Sequence, residues 1–96
     1  MYLLITYDVN IASEGGANRL RRVAKCCVNY GQRVQNSVFE CMISEADFVH
    51  LKSQLSGIID HETDTIRIYN LGKNYRSKIQ KLGKNTSYNF EDPLIL

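Results

Sequence analysis

The sequence has no tryptophan and a single proline, Pro93, so nothing rigid punctuates the middle of the chain. Long apolar runs are missing too. The longest reach only about five residues, as in Met1 to Ile5, against the ~20 that a membrane span needs. No basic start leads into a long apolar stretch, so no secretory signal is read, and the cytosol is the expected compartment. Cysteine is sparse and odd in number: Cys26 and Cys27 are adjacent and Cys41 stands alone. Without a CxxC pair, neither a zinc site nor a dithiol redox centre is indicated, and the thiols are expected to be reduced, buried and structural. The two histidines, His50 and His61, show no metal-ligand spacing and are expected at the surface. Gly15-Gly16 lacks the second half of a GxGxxG phosphate cradle. No Cys–His or Ser–His–Asp spacing, repeat or low-complexity segment is present.

What is present fits one small domain spanning residues 1–96. A chain this short buries only about 60% of its unfolded surface, so association with a second copy is an economical source of buried area. The net charge is a modest +2, but its distribution is uneven. Arg19, Arg21, Arg22, Lys25 and Arg33 form one acid-free set, and Lys73, Arg76, Lys78, Lys81 and Lys84 a second. Together they hold ten of the twelve basic residues. The acids gather mostly from Glu40 to Asp64 and at Glu91 and Asp92. Such segregation makes a locally positive surface, suited to a polyanion, although two solvated faces would have the same pattern.

Tyr2 to Val9 reads as a strand, with Leu3, Ile5, Tyr7 and Val9 on one face and Tyr2, Leu4, Thr6 and Asp8 on the other. Asn10 to Gly16 reads as a loop. The stripe Leu20, Val23, Ala24, Cys27 predicts a helix over roughly Asn18 to Tyr30, ended by Gly31. Arg33 to Ile43 is extended but breaks alternation near Asn36, which predicts two short strands with a turn at Gln35-Asn36-Ser37. Ser44-Glu45-Ala46-Asp47 resembles a capping box and opens a helix carrying Phe48, Leu51 and Leu55, with Gly57 expected at its end. Thr63 to Leu71 reads as a strand, followed by a basic irregular segment to about Lys84. The apolar Leu94, Ile95 and Leu96 predict a terminal strand that packs on a partner protomer, so 85–96 is read as a tail. The order is β-α-β-β-α-β plus a C-terminal strand: an α+β, ferredoxin-like domain, expected to be homodimeric.

Asp8 is the most informative single position. A carboxylate ending an apolar strand needs solvent, a partner or a metal. Taken alone it is more often a loop cap than a ligand. One carboxylate is also a poor catalytic metal site, but a two-fold dimer that brings two copies of Asp8 together could hold one cation across its axis. The cations of the first helix and Arg33 are expected around that centre, because the planar arginine fork suits phosphate. Tyr2, Tyr7, Phe39 and Tyr69 could stack on bases, although such residues are more often core or interface. No RNP-type aromatic motif is present.

Several segments in order resemble a known family. Leu4-Ile5-Thr6-Tyr7-Asp8-Val9, Arg19-Leu20-Arg21-Arg22-Val23-Ala24-Lys25, Tyr30 to Glu40 around Arg33-Val34-Gln35-Asn36-Ser37-Val38-Phe39, Ile66-Arg67-Ile68-Tyr69 with Leu71-Gly72, and Glu91-Asp92-Pro93-Leu94-Ile95 are similar to the small CRISPR-associated adaptation protein. The resemblance covers nearly the whole chain. It implies a ferredoxin-like homodimer whose last strand, here Leu94, Ile95 and Leu96, crosses to the partner. It further implies a complex with the CRISPR integrase subunit on duplex DNA, and Mg²⁺- or Mn²⁺-dependent endonuclease activity on RNA or double-stranded DNA, with one ion shared between the two Asp8 residues. The family's metal aspartate falls on Asp8 and its neighbouring tyrosine on Tyr7. Its nucleic-acid residues fall on Arg22, Arg33 and Phe39. A further helix arginine of some members meets Leu20 here, flanked by Arg19 and Arg21. Three readings follow: a metal-dependent endonuclease of spacer acquisition, a non-catalytic DNA scaffold bridging integrase dimers, or a toxin-like ribonuclease. No membrane partner is expected.

Overall fold

The computed structural model describes residues 1–83. The tail read over 85–96, with Leu94, Ile95 and Leu96 as its partner contacts, lies outside the described residues.

The chain runs β1 (Tyr2–Asp8), α1 (Gly16–Val28), β2 (Gly31–Gln35), β3 (Val38–Met42), α2 (Glu45–Ile58), β4 (Thr65–Asn70) and a short α3 (Tyr75–Lys78). The strands form a four-stranded antiparallel sheet in the order β2-β3-β1-β4. This is the α+β, ferredoxin-like arrangement that the alternating patterns of the sequence predict. Strand β1 is central: Leu4 faces Glu40 of β3 and Tyr69 of β4.

The period of two along β1 sets the two faces of the sheet. Leu3, Ile5, Tyr7 and Val9 are buried with Phe39 and Cys41 of β3, against Val23 and Cys27 of α1 and Leu51 and Leu55 of α2. Both long helices therefore cover one face. On the other, Leu4 and Thr6 are half-buried and Asp8 is exposed. All three cysteines are free and buried, as their spacing predicts. Burial pushes the Cys27 thiol up to about 12 and the Cys41 thiol up to about 11, which keeps both protonated and unreactive at neutral pH.

Local chemistry explains the boundaries. Helix α1 starts at Gly16 rather than Asn18, because Gly15 takes a left-handed conformation (φ 74°) that turns the loop into the helix. Gly16 lies so close to the loop that a Cβ there would sit 2.2 Å from the Asn10 carbonyl oxygen. The helix ends at Val28, and Gly31 opens β2 instead of closing α1. The turn between β2 and β3 lies at Asn36-Ser37, with a register irregularity between Arg33 and Gln35 that accounts for the broken alternation. Ser44 caps α2, its Oγ accepting from the Asp47 amide at 3.1 Å.

Gly57 does not end α2, which continues to Ile58. Its φ is not positive, and nothing lies within 4 Å of where a Cβ would stand. Gly57→Ala should therefore stabilise the domain by about 0.4–1 kcal/mol, by reducing the freedom of the unfolded chain. The thermal unfolding midpoint should rise by a few degrees. An unchanged or lower midpoint would mean that the last turn of α2 frays.

The basic segment after β4 is not wholly irregular. It turns back so that the Tyr75 ring of α3 stacks on Tyr2, with centroids 3.9 Å apart and planes within 8°. Tyr2 belongs to the sheet face opposite the helices, and its hydroxyl donates to Glu40 at 2.5 Å. One end of that face is thereby covered by the chain itself, and among the described residues the Asp8 end stays open.

Candidate active site at the end of the first strand

Asp8 is the last residue of β1 and is exposed on the sheet face that the helices leave open. Its cross-strand neighbour is Thr65, and the next same-face pair along the strands is Thr6 with Arg67. Asp8, Thr6, Thr65 and Arg67 thus share one patch, with neighbouring side chains spaced as cross-strand pairs are. The patch offers an anionic oxygen ligand, two hydroxyls and a guanidinium. Arg67 also donates to the Tyr69 hydroxyl, at 3.5 Å.

Tyr7, although adjacent to Asp8, faces the other way. It is buried under the helices, its hydroxyl donates to the Asn36 carbonyl oxygen at 3.1 Å, and its ring lies 6.1 Å from that of Phe39. Burial raises its pKa, and the positive charge of Arg33 works against that rise. Tyr7, which the resemblance places beside Asp8 in the site, thus projects to the opposite face of the sheet, as successive strand residues do and as the alternation of the sequence predicts.

The residues expected to contact nucleic acid are likewise dispersed. Phe39 is fully buried in the core, so its ring is not available to stack on a base. Arg33 is exposed at the sheet edge and covers that ring, with its guanidinium carbon 5.3 Å from the centroid. Arg21 and Arg22 are exposed on α1, in the layer across the sheet from Asp8; Arg21 donates to Asn18 Oδ1 at 2.7 Å. Arg22 and Lys25 line a groove between α1 and α2, together with Cys26, Asn29, Gln54 and Ile58. The cations of the first helix therefore do not surround Asp8.

Arg19 is engaged inside the fold. Its Nε donates to Asp64 Oδ2 at 2.8 Å, Nη1 to the Glu14 carbonyl at 2.6 Å, and Nη2 to Ser13 Oγ at 2.5 Å. The side chain is 13% exposed and that of Asp64 is 0% exposed. Arg19 holds the Asp64 carboxyl well below the usual carboxylate range, against the opposing effect of burial and with help from the Asp60 and Asn10 amides. This expected nucleic-acid ligand is thus a structural cation. The sequence carries no local signal for it, because the two partners are 45 residues apart.

No group of three or more His, Cys, Asp or Glu that could hold a metal occurs among the described residues. His50 and His61 are exposed, and His61 Nε2 lies 2.8 Å from the Ser56 carbonyl. Among the described residues the open face carries two carboxylates, Glu40, which is engaged by the Tyr2 hydroxyl at the far end, and Asp8, so one chain brings Asp8 as the acidic ligand of its end of that face. That donor suits Mg²⁺, which keeps several waters and takes one or two carboxylates plus phosphate oxygens, provided that a second Asp8 or a substrate completes the set. No helix among the described residues is long and apolar enough to cross a membrane.

The profile of the family described as CRISPR associated protein Cas2 matches residues 1–79. The chain is 55% identical over 95 residues, 99% of each protein, to the CRISPR-associated endonuclease Cas2 of Halalkalibacterium halodurans. It is 49% identical over 96 residues, the full length of both, to the CRISPR-associated endoribonuclease Cas2 1 of Moorella thermoacetica. In the crystal structure of Streptococcus pyogenes Cas2 at pH 6.5, the similar fold has a TM-score of 0.77 at 57% identity, covering 86% of this chain and 100% of that one.

Proposed function

The chain belongs to the CRISPR-associated Cas2 family, and on that premise we propose that it is an endonuclease of CRISPR adaptation, acting as a homodimer on the phosphodiester backbone of RNA or double-stranded DNA with Mg²⁺ or Mn²⁺. The observation that carries this reading is Asp8: an exposed carboxylate at the end of the central strand, on the sheet face opposite the two long helices. When bound, the ion supplies charge neutralisation and an activated water for phosphodiester hydrolysis. Asp8 would hold it, with a second copy of Asp8 across a two-fold axis. Thr6 and Thr65 flank Asp8 with hydroxyls that can bind water or a phosphate oxygen. Arg67, on the same face, brings a guanidinium to the negative charge of the backbone. The helix-layer cations Arg21 and Arg22 provide a separate, salt-sensitive contact with duplex DNA. The integrase subunit is the expected protein partner and the cytoplasm the expected place of action.

Removal of metal tests this reading. Cleavage of RNA or duplex DNA by the purified protein should disappear with a chelator, return with Mg²⁺ or Mn²⁺, and co-elute with a two-chain species. Undiminished cleavage in the chelator would remove the metal from the mechanism.

A second reading, a non-catalytic scaffold that clamps DNA and bridges integrase dimers, is favoured by the dispersal of Arg21, Arg22 and Arg33 away from Asp8. It is separated from the first by spacer acquisition in cells carrying Asp8→Asn. A scaffold alone would support acquisition unchanged.

A further inference from the structure

We infer that Asp64 is the positioning residue for Asp8: from inside the fold it holds both stretches of backbone that fix where the Asp8 carboxylate projects. The inference rests on the reading of Asp8 as the metal-holding carboxylate.

Two backbone constraints define the place of Asp8. One is the exit of the chain from β1 at Asn10, two residues later; the other is the cross-strand pairing with Thr65, which follows Asp64 directly. Asp64 acts on both. Its Oδ1 accepts from the Asn10 amide at 3.0 Å and from Thr63 Oγ1 at 3.1 Å. Its Oδ2 accepts from the Asp60 amide at 2.8 Å and from Arg19 Nε at 2.8 Å. The Asp64 amide donates to the Asp60 carbonyl at 2.8 Å, which closes the turn that leads into β4.

Arg19 extends the brace across the loop. Its Nη2 donates to Ser13 Oγ at 2.5 Å, and that hydroxyl donates to the Asn10 carbonyl at 2.6 Å. The Ser13 amide donates to the same carbonyl at 3.2 Å. Asn10 is therefore held on both sides, by Asp64 at its N–H and by Ser13 at its C=O, with Arg19 joining the two. A buried carboxylate that satisfies two backbone amides and a guanidinium has no freedom to rearrange without leaving polar groups unpaired. The exposed Asp8 thus stands on a rigid base, as a metal ligand needs.

Direct Mn²⁺ binding, followed by electron paramagnetic resonance, tests the assignment in the full-length protein without recourse to activity. Asp64→Asn keeps the shape but loses the charge paired with Arg19. It should weaken Mn²⁺ binding by about tenfold or more while circular dichroism and chain association stay as in the wild type. Arg19→Lys keeps the charge but not the fork and should weaken binding less than Arg19→Gln. This pair carries the test if Asp64→Asn does not fold. Wild-type Mn²⁺ affinity in a folded Asp64→Asn, or in Arg19→Gln, alongside lost binding in Asp8→Asn, overturns the assignment and leaves the Asp8 reading intact. Unchanged binding in Asp8→Asn overturns the Asp8 reading and this inference together.

Discussion

Asp8→Asn should lower nucleic-acid cleavage by on the order of 10²–10³-fold, the scale of loss when one preorganised transition-state-stabilising group is removed, with the fold and chain association unaltered. The side chain keeps its size and one carbonyl oxygen, so only charge and metal affinity change. Asp8 is exposed and packs into no core, so stability has little to lose. Tyr7→Phe is the matching control. Its hydroxyl donates to the Asn36 carbonyl beneath the helices, on the far side of the sheet from Asp8. Losing it should cost about 0.5–1.5 kcal/mol of stability and change cleavage far less than Asp8→Asn does. Parallel preparations of wild type, Asp8→Asn and Tyr7→Phe, assayed on RNA and duplex DNA with Mg²⁺, decide the matter. Equal cleavage by wild type and Asp8→Asn would identify a contaminating nuclease. Equal loss in both variants would mean that the strand end, rather than the carboxylate, is what matters.

Strand β1 shows how far the sequence alone reaches. Its period of two put Leu3, Ile5, Tyr7 and Val9 on one face and Asp8 on the other, and burial follows that division. The same alternation already set Tyr7 and Asp8 on opposite faces; only the family resemblance brought Tyr7 into the site. The turn at Asn36 and the Ser44 cap are short-range features and were equally legible. What escaped depends on contacts between distant residues. The Arg19–Asp64 pair spans 45 residues, so an arginine in a basic run reads as a ligand for phosphate until its buried partner is seen. Helix α3 owes its place to the stacking of Tyr75 on Tyr2, a contact between opposite ends of the described chain that no local pattern announces. Gly57 read as a helix end because glycine favours such positions, yet α2 runs through it, its preceding turns held by the buried Leu51 and Leu55. Packing there overrides propensity.

Phe39→Ala should destabilise the domain by about 3–5 kcal/mol, a large share of the ~5–15 kcal/mol that holds a typical domain folded. Phe39 sits at 0% exposure near the start of β3, opposite Ile5 of the central strand, with the Tyr7 ring on one side and the Arg33 guanidinium over its ring. Truncation removes the ring, opens a cavity in a core that is already thin for a chain of 96 residues, and strips Arg33 of the face it covers. Urea titration should show a midpoint far below that of the wild type. Phe39→Leu keeps most of the volume and should cost much less, which makes it the informative variant for function. If Phe39 acts only as core, folded Phe39→Leu binds duplex DNA as the wild type does. If binding falls while the urea midpoint holds, the ring must leave the core to meet nucleic acid, and the buried arrangement is then only one of two states of β3.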